Sequence, residues 1–176
     1  MDFNELFYAD FFVAAIIYIM LFWFFWRKKG IKRIFLNTLL YIYITLVFMV
    51  TVMPVVENIK YIGTFEYRWM RLVPFDDYNC GRDQAVRQII LNTFMFMPFG
   101  FLLPLIRKHN FFSVTLLSFL FSVFIEVFQP LISSVRYSDI TDVITNTLGG
   151  ILGYLCYLLL MKIIKREKKN LTELKA

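Results

Sequence analysis

The sequence predicts an all-α fold, a polytopic helical bundle embedded in a membrane, and two observations support this. Of the 176 residues, 59% are hydrophobic and only 18% are charged, whereas soluble domains carry about 25% charged residues. The chain also contains five apolar stretches, each close to the roughly 20 residues that a helix needs to cross a bilayer. Together these observations exclude a disordered chain, a coiled coil and an ordinary soluble enzyme.

The five predicted transmembrane helices belong to a single membrane domain that covers residues 1–176. The predicted spans lie at about 7–26, 34–56, 89–106, 111–129 and 142–164. A long loop, 57–88, separates the second span from the third, and a basic tail, 165–176, follows the fifth.

The long loop contains apolar residues at helical spacing, namely Ile62, Phe65, Trp69 and Leu72. This pattern predicts a short amphipathic helix that lies in the outer headgroup region. The alternative is a tethering segment that only covers the ends of the transmembrane helices.

The basic residues predict the orientation of the chain. Thirteen of the 19 Lys and Arg residues follow spans one, three and five. Because the side of a membrane protein richer in Lys and Arg faces the cytoplasm, the N-terminus is expected outside and the C-terminus inside. The net charge of +6 is thus explained by topology, and nucleic acid is not expected as a partner.

Polar residues inside the apolar spans indicate a candidate site, because a polar or charged group in a membrane is costly. Asn92, Glu126 and Asn146 are each expected about one helical turn below the outer boundary. Gln129 and Asp142 lie at the outer ends of spans four and five, and the loop between these spans adds Arg136 and Asp139. The candidate ligand-binding residues are Asn92, Glu126, Gln129, Arg136, Asp139, Asp142 and Asn146.

A second group of residues is expected to shape the pocket. Glycines on a helix face let a neighbouring helix approach closely, and a proline inside a helix removes a backbone hydrogen bond. These residues are Pro98, Gly100, Pro104, Gly149, Gly150 and Gly153. We therefore expect an outward-facing polar pocket among spans three, four and five, with Arg136 as its cation. The alternative is that the polar groups only satisfy one another and fix the helix register.

The remaining reactive groups are expected to be structural. Asp10 near the N-terminus is expected to be a solvated charge and Cys156 a core residue. Cys80 and Cys156 do not form a zinc-ligand pattern, so no metal site is predicted. Nothing in the sequence identifies a cofactor.

The ordered set of polar, proline and glycine residues resembles the VanZ-like family. The matching elements are Asn92, Pro98-Phe99-Gly100, Glu126-x-x-Gln129, Arg136, and Asp139-x-x-Asp142-x-x-x-Asn146-x-x-Gly149. The resemblance implies a multi-pass protein of the bacterial cytoplasmic membrane that is associated with resistance to the glycopeptide antibiotic teicoplanin. It does not imply a reaction.

Three functions remain open from the sequence, and the first is favoured. The pocket could bind membrane lipids, a lipid-linked cell-wall precursor or a teicoplanin-type lipoglycopeptide. The chain could instead be an intramembrane enzyme that modifies an envelope lipid, with Glu126 and Asp142 as acid and base and Arg136 stabilising the developing charge. It could also be a structural membrane subunit.

Overall fold

The computed structural model describes residues 5–53, 55–56, 58, 70–132 and 137–173. Its regular secondary structure within these ranges is helical, with one isolated parallel bridge between Arg71 and Asp139. The helices are α1 (Glu5–Leu21), which continues as a π-helical turn (Phe22–Trp26), α2 (Ile31–Thr51), α3 (Asp76–Asn79), α4 (Ala85–Ile106), α5 (Phe111–Ile132) and α6 (Ile140–Glu173).

The five predicted transmembrane helices are confirmed, because α1 with its π-helical turn, α2, α4, α5 and α6 are each long and apolar enough to cross a membrane. Several bounds differ from those predicted. Helix α2 covers Ile31–Thr51 in place of 34–56. Helix α4 already begins at Ala85, and α6 continues through the basic segment to Glu173. At 1.5 Å per residue α6 is about 51 Å long, so it exceeds a hydrocarbon core of about 30 Å. The predicted loop helix falls mostly on residues 59–69, outside the described ranges.

Helices α4 and α6 form the most extensive helix pair because glycines remove the side chains that would separate them. A Cβ atom added to Gly100 would overlap the backbone of Gly150, and one added to Gly153 would overlap the Met97 carbonyl. A Cβ atom added to Gly149 would likewise overlap the Thr93 carbonyl oxygen. Small residues drive such close packing in membranes, where lipid tails compete with ordinary apolar side chains.

The core lies where α2, α4 and α5 meet. Val47, Phe96 and Ile125 are buried there, and the Phe96 and Phe121 rings lie 5.3 Å apart between centroids. Pro98 lies inside the continuous helix α4. The core therefore joins α2, α4 and α5 next to the polar residues.

In helix α1, the expectation that Asp10 is a solvated charge is wrong. Asp10 is only 3% exposed instead of solvated. Its carboxylate accepts hydrogen bonds from the backbone amides of Val55 and Val56, both at 2.9 Å. The expectation that Cys156 is a core residue is also wrong, because Cys156 is exposed on the helix surface.

Candidate functional site

A polar recess of about 880 Å³ opens between the C-terminal ends of α2 and α5 and the N-terminal ends of α4 and α6. Four of the residues singled out in the sequence line it: Asn92 from α4, Gln129 from α5, and Asp139 and Asp142 from the start of α6. The other polar lining residues are Thr51, Gln84, Arg87, Gln88 and Tyr137. The apolar lining residues are Val50, Leu91, Phe94 and Met95.

Asp142 is the carboxylate that most directly joins α6 to α4 in this recess. The amide side chains of Asn92 and Gln88 face it from α4. The Asn92 side-chain nitrogen is buried and has no hydrogen-bond partner among the described residues. Because a buried donor without a partner is costly, the carboxyl group of Asp142, which this side chain faces, is the acceptor expected for it.

Glu126 is buried behind the recess and caps α6. Only 1% of the surface of Glu126 is exposed. One carboxylate oxygen, Oε2, accepts a 2.9 Å hydrogen bond from the backbone amide of Asp139. The first amides of a helix have no partner within the helix and carry partial positive charge, so a carboxylate there is stabilising.

Pro130 explains a second contact at Glu126. In an α-helix the carbonyl of Glu126 would accept a hydrogen bond from the amide four residues later, but that residue is Pro130, which has no N–H. The Ser138 hydroxyl donates to the Glu126 carbonyl instead. The end of α5 is therefore attached to the start of α6 through both the backbone and the side chain of Glu126.

The remaining amides at the start of α6 are also satisfied. The Asp139 side chain accepts a 2.7 Å hydrogen bond from the Thr141 amide, which is an N-cap. The Ile140 amide donates to the Arg71 carbonyl at 3.0 Å, and the Arg71 amide donates to the Ser138 carbonyl at 2.9 Å. The loop that precedes α3 is thus attached directly to the edge of the recess.

The Arg71 guanidinium is held in place next to the recess. Its Nη1 lies 2.9 Å from Asp77, which also binds Arg82 at 2.9 Å. The guanidinium lies over the Tyr137 ring, 3.7 Å from its centroid. Both arginines share one carboxylate, and Arg71 fixes the aromatic ring that forms part of the recess wall.

Asn146 lies deeper, between α6 and α5. It is only 2% exposed, and its side-chain nitrogen donates to the Ser122 hydroxyl at 2.9 Å. Ser118, one turn earlier on α5, is buried against Gly150. This contact joins two helices and does not line the recess.

The structure thus divides the candidate residues into two described groups. Asn92, Gln129, Asp139 and Asp142 line the recess. Glu126 and Asn146 are buried behind it and hold α6 against α5. Arg136, the expected cation, lies outside the described residues.

Comparison with known proteins identifies the family. The model of the VanZ/LLP1 family matches residues 11–161. The chain belongs to the VanZ/LLP1 family. It is 30% identical over 141 residues to Protein VanZ of Enterococcus faecium, and this alignment covers 77% of the chain and 81% of that protein. No solved structure matches the chain.

The VanZ/LLP1 match covers every described residue that lines the recess. Three residues that line the recess were not predicted, because the apolar pattern assigns them to the loop before the third span: Gln84, Arg87 and Gln88. Their spacing relative to Asn92 is a signal that could have identified them, since residues 84, 88 and 92 share one face of a helix.

Of two further pairs of residues that were not predicted, one has a signal in the sequence and the other has none. Ser118 and Ser122 precede Glu126 at intervals of four residues, so the three form one polar stripe on α5. Tyr137 and Arg71 have no such signal, because their positions depend on contacts between distant loops.

The recess offers hydrogen-bond donors and acceptors beside an apolar wall. Among the described residues no cluster of three or more His, Cys, Asp or Glu side chains is placed to hold a metal ion.

Proposed function

We propose that this VanZ/LLP1 protein binds an amphiphile of the bacterial envelope in the polar recess: a lipid, a lipid-linked wall precursor or a lipoglycopeptide. The observation that carries the proposal is the joint lining of one recess of about 880 Å³ by polar groups from α4, α5 and α6 together with apolar residues. An amphiphile requires both kinds of surface.

The apolar part of the recess supports binding of an acyl or prenyl chain. Val50, Leu91 and Phe94 line it and remain substantially exposed, with Phe94 at 62%. All three lie on candidate membrane spans. Because exposed apolar residues on a span contact lipid tails, a bound amphiphile can keep its chain in the bilayer while its polar end enters the recess.

The proposed orientation places the recess in the outer leaflet. The basic turn Arg27-Lys28-Lys29 and the basic end of α6 lie at the opposite ends of the helices from the recess. The positive-inside rule assigns those basic ends to the cytoplasm. The N-terminus would then be outside, the C-terminus inside, and the protein would reside in the cytoplasmic membrane.

The family membership supports a role in teicoplanin resistance as a further part of the proposal. Teicoplanin carries an acyl chain and acts at the outer surface of the membrane, where the recess is expected to open. Competition for the antibiotic, or for the precursor that it binds, would lower susceptibility without any reaction.

A cell-based experiment tests the proposal. Expression of the full chain in a teicoplanin-susceptible bacterial host is expected to raise the minimal inhibitory concentration of teicoplanin. Asp142→Asn and Asn92→Leu should return it to the level of the empty vector, while Asp83→Asn serves as the control because Asp83 is exposed and does not line the recess. Membrane abundance is measured by immunoblot for each variant.

Each outcome separates the three functions. Loss of resistance at unchanged abundance supports a ligand-binding recess, whereas loss of resistance only through lower abundance supports a structural subunit. An intramembrane enzyme is kept as a second candidate because the carboxylates of Asp139 and Asp142 both line the recess. Purified protein incubated with envelope lipids would then change the mass of one of them.

A further inference from the structure

We infer that the recess recognises the sugar of a glycosylated lipid. This inference rests on the proposed function, because it assumes that an amphiphile enters the recess. It is carried by the kinds of side chain that line the recess, by their charges and by their order along α4.

The polar lining residues have the hydrogen-bonding character that sugar hydroxyls require. A hydroxyl group both donates and accepts, so its partners need both functions. Four carboxamides, Gln84, Gln88, Asn92 and Gln129, line the recess, and each supplies a donor and an acceptor.

The described lining residues carry more acidic than basic groups. Asp139 and Asp142 line the recess, and Arg87 is the one basic residue among the described lining residues. Arg87 is exposed, and the nearby Arg71 and Arg82 are both bound to Asp77. A carboxyl group accepts a hydrogen bond from a neutral hydroxyl, so these residues suit a sugar better than an added anion.

The Tyr137 ring provides an apolar surface at the same level. It lines the recess and is held by the Arg71 guanidinium at 3.7 Å. A ring that combines an apolar face with a polar edge is suited to the C–H surface of a sugar, which is apolar although its edges carry hydroxyls.

The order of residues along α4 orients the ligand. The recess-lining residues of the first turns, Gln84, Arg87 and Gln88, are polar, whereas Phe94 and Met95 farther along are apolar. From Gln88 to Met95 the helix rises about 10 Å. The sugar would therefore lie beside the start of α6, and the lipid chain would leave along Leu91 and Phe94.

The test uses the purified full chain in detergent and three lipids with identical dioctanoyl chains. The lipids are a neutral glucosyl diacylglycerol, phosphatidylglycerol and diacylglycerol. The dissociation constant of each is measured by native mass spectrometry. We expect the glucosyl lipid to bind at least tenfold more tightly than diacylglycerol and more tightly than phosphatidylglycerol.

Asp142→Asn provides the decisive variant because it should weaken binding of one headgroup and not of the other. The change replaces one carboxyl oxygen acceptor by an amide donor, so binding of the glucosyl lipid should weaken about tenfold. Binding of phosphatidylglycerol should not weaken, because its headgroup gains a possible donor. A folding defect would weaken binding of both lipids. Asp83→Asn is the matched control and should change neither constant.

The failures of the two proposals are distinguishable. If phosphatidylglycerol binds most tightly and Arg87→Gln abolishes its preference, the recess binds anions; the sugar inference is then overturned while the proposed function stands. If the three lipids bind equally, the sugar inference is overturned while the proposed amphiphile site stands. If none binds and expression of the chain also leaves the inhibitory concentration of teicoplanin unchanged, both proposals fail.

Discussion

The carboxylate of Glu126 on α5 accepts a 2.9 Å hydrogen bond from the backbone amide of Asp139, thirteen residues later in the chain. An acidic residue buried in the membrane-spanning bundle therefore serves as a cap for the next helix. This contact places Asp139 and Asp142 at the edge of the recess, because both lie in the first turn of α6 or directly before it.

Truncation of Glu126 is expected to destabilise the protein. Glu126→Ala leaves the Asp139 amide without its acceptor, and an unsatisfied buried group costs about 1–3 kcal/mol. Glu126→Gln keeps an acceptor oxygen and should cost less, although the favourable interaction of charge with the helix N-terminus is lost. Thermal unfolding of the detergent-solubilised protein measures both. Glu173→Ala, at an exposed position, is the control; equal midpoints for Glu126→Ala and the unmodified protein would contradict the assigned role.

The contact between Ser138 and the Glu126 carbonyl is expected to depend on Pro130. Ser138→Ala should cost about 1 kcal/mol, because the carbonyl loses its hydrogen-bond donor. In a Pro130→Ala background residue 130 regains an N–H, so the same Ser138 change should cost much less. A double-mutant cycle on unfolding free energies measures this coupling. Additive costs would show that Ser138 does not replace the donor that proline lacks.

The α4–α6 contact is expected to tolerate no side chain at Gly100. A Cβ atom there would overlap the Gly150 backbone, so Gly100→Ala must separate the two helices, and overpacking typically costs 1–3 kcal/mol or more. The fraction of monodisperse protein in size-exclusion chromatography should fall sharply. Gly30→Ala is the control because no atom lies within 4 Å of its added Cβ. Similar yields for the two variants would be inconsistent with the close approach.

Asp10 is expected to hold α1 against the segment that follows α2. Asp10→Ala removes the acceptor for the amides of Val55 and Val56, so hydrogen exchange at these two amides should become faster. Asp10→Asn retains one acceptor oxygen and should have an intermediate effect. Hydrogen–deuterium exchange with mass spectrometry resolves this segment. Unchanged exchange in Asp10→Ala would show that the amides are protected by other contacts.

The proposed orientation predicts which cysteine reacts from outside the cell. Cys80 is exposed between α3 and α4, whereas Cys156 is exposed on the surface of the α6 span. A membrane-impermeant maleimide added to intact cells should label Cys80, and the Cys80→Ser variant should remain unlabelled because Cys156 faces lipid. Labelling of Cys80 only after the cells are opened would reverse the orientation and place the recess in the inner leaflet.

Much of the fold could be predicted from the sequence, whereas only part of the site could. Asn92 interrupts an apolar stretch, and Gln129 and Asp142 lie at the ends of two others, so the cost of such groups in a membrane identifies them without any structure. Asp139 precedes Asp142 by three residues, which places both on one helix face. Gln84 and Gln88 could not be identified in this way, because they lie in a polar segment where their residue type is not unusual. Their role depends on α4 beginning at Ala85.

The sequence by itself determined the number of membrane-spanning helices and the family. This is possible because a helix in lipid must satisfy its backbone hydrogen bonds internally and present apolar side chains, whatever its neighbours are. Tertiary structure alone decided which acids are structural and which face the recess. Asp10 and Glu126 bind amides that are 45 and 13 residues away, and residue spacing specifies only the face of a helix, not the group that will lie opposite it.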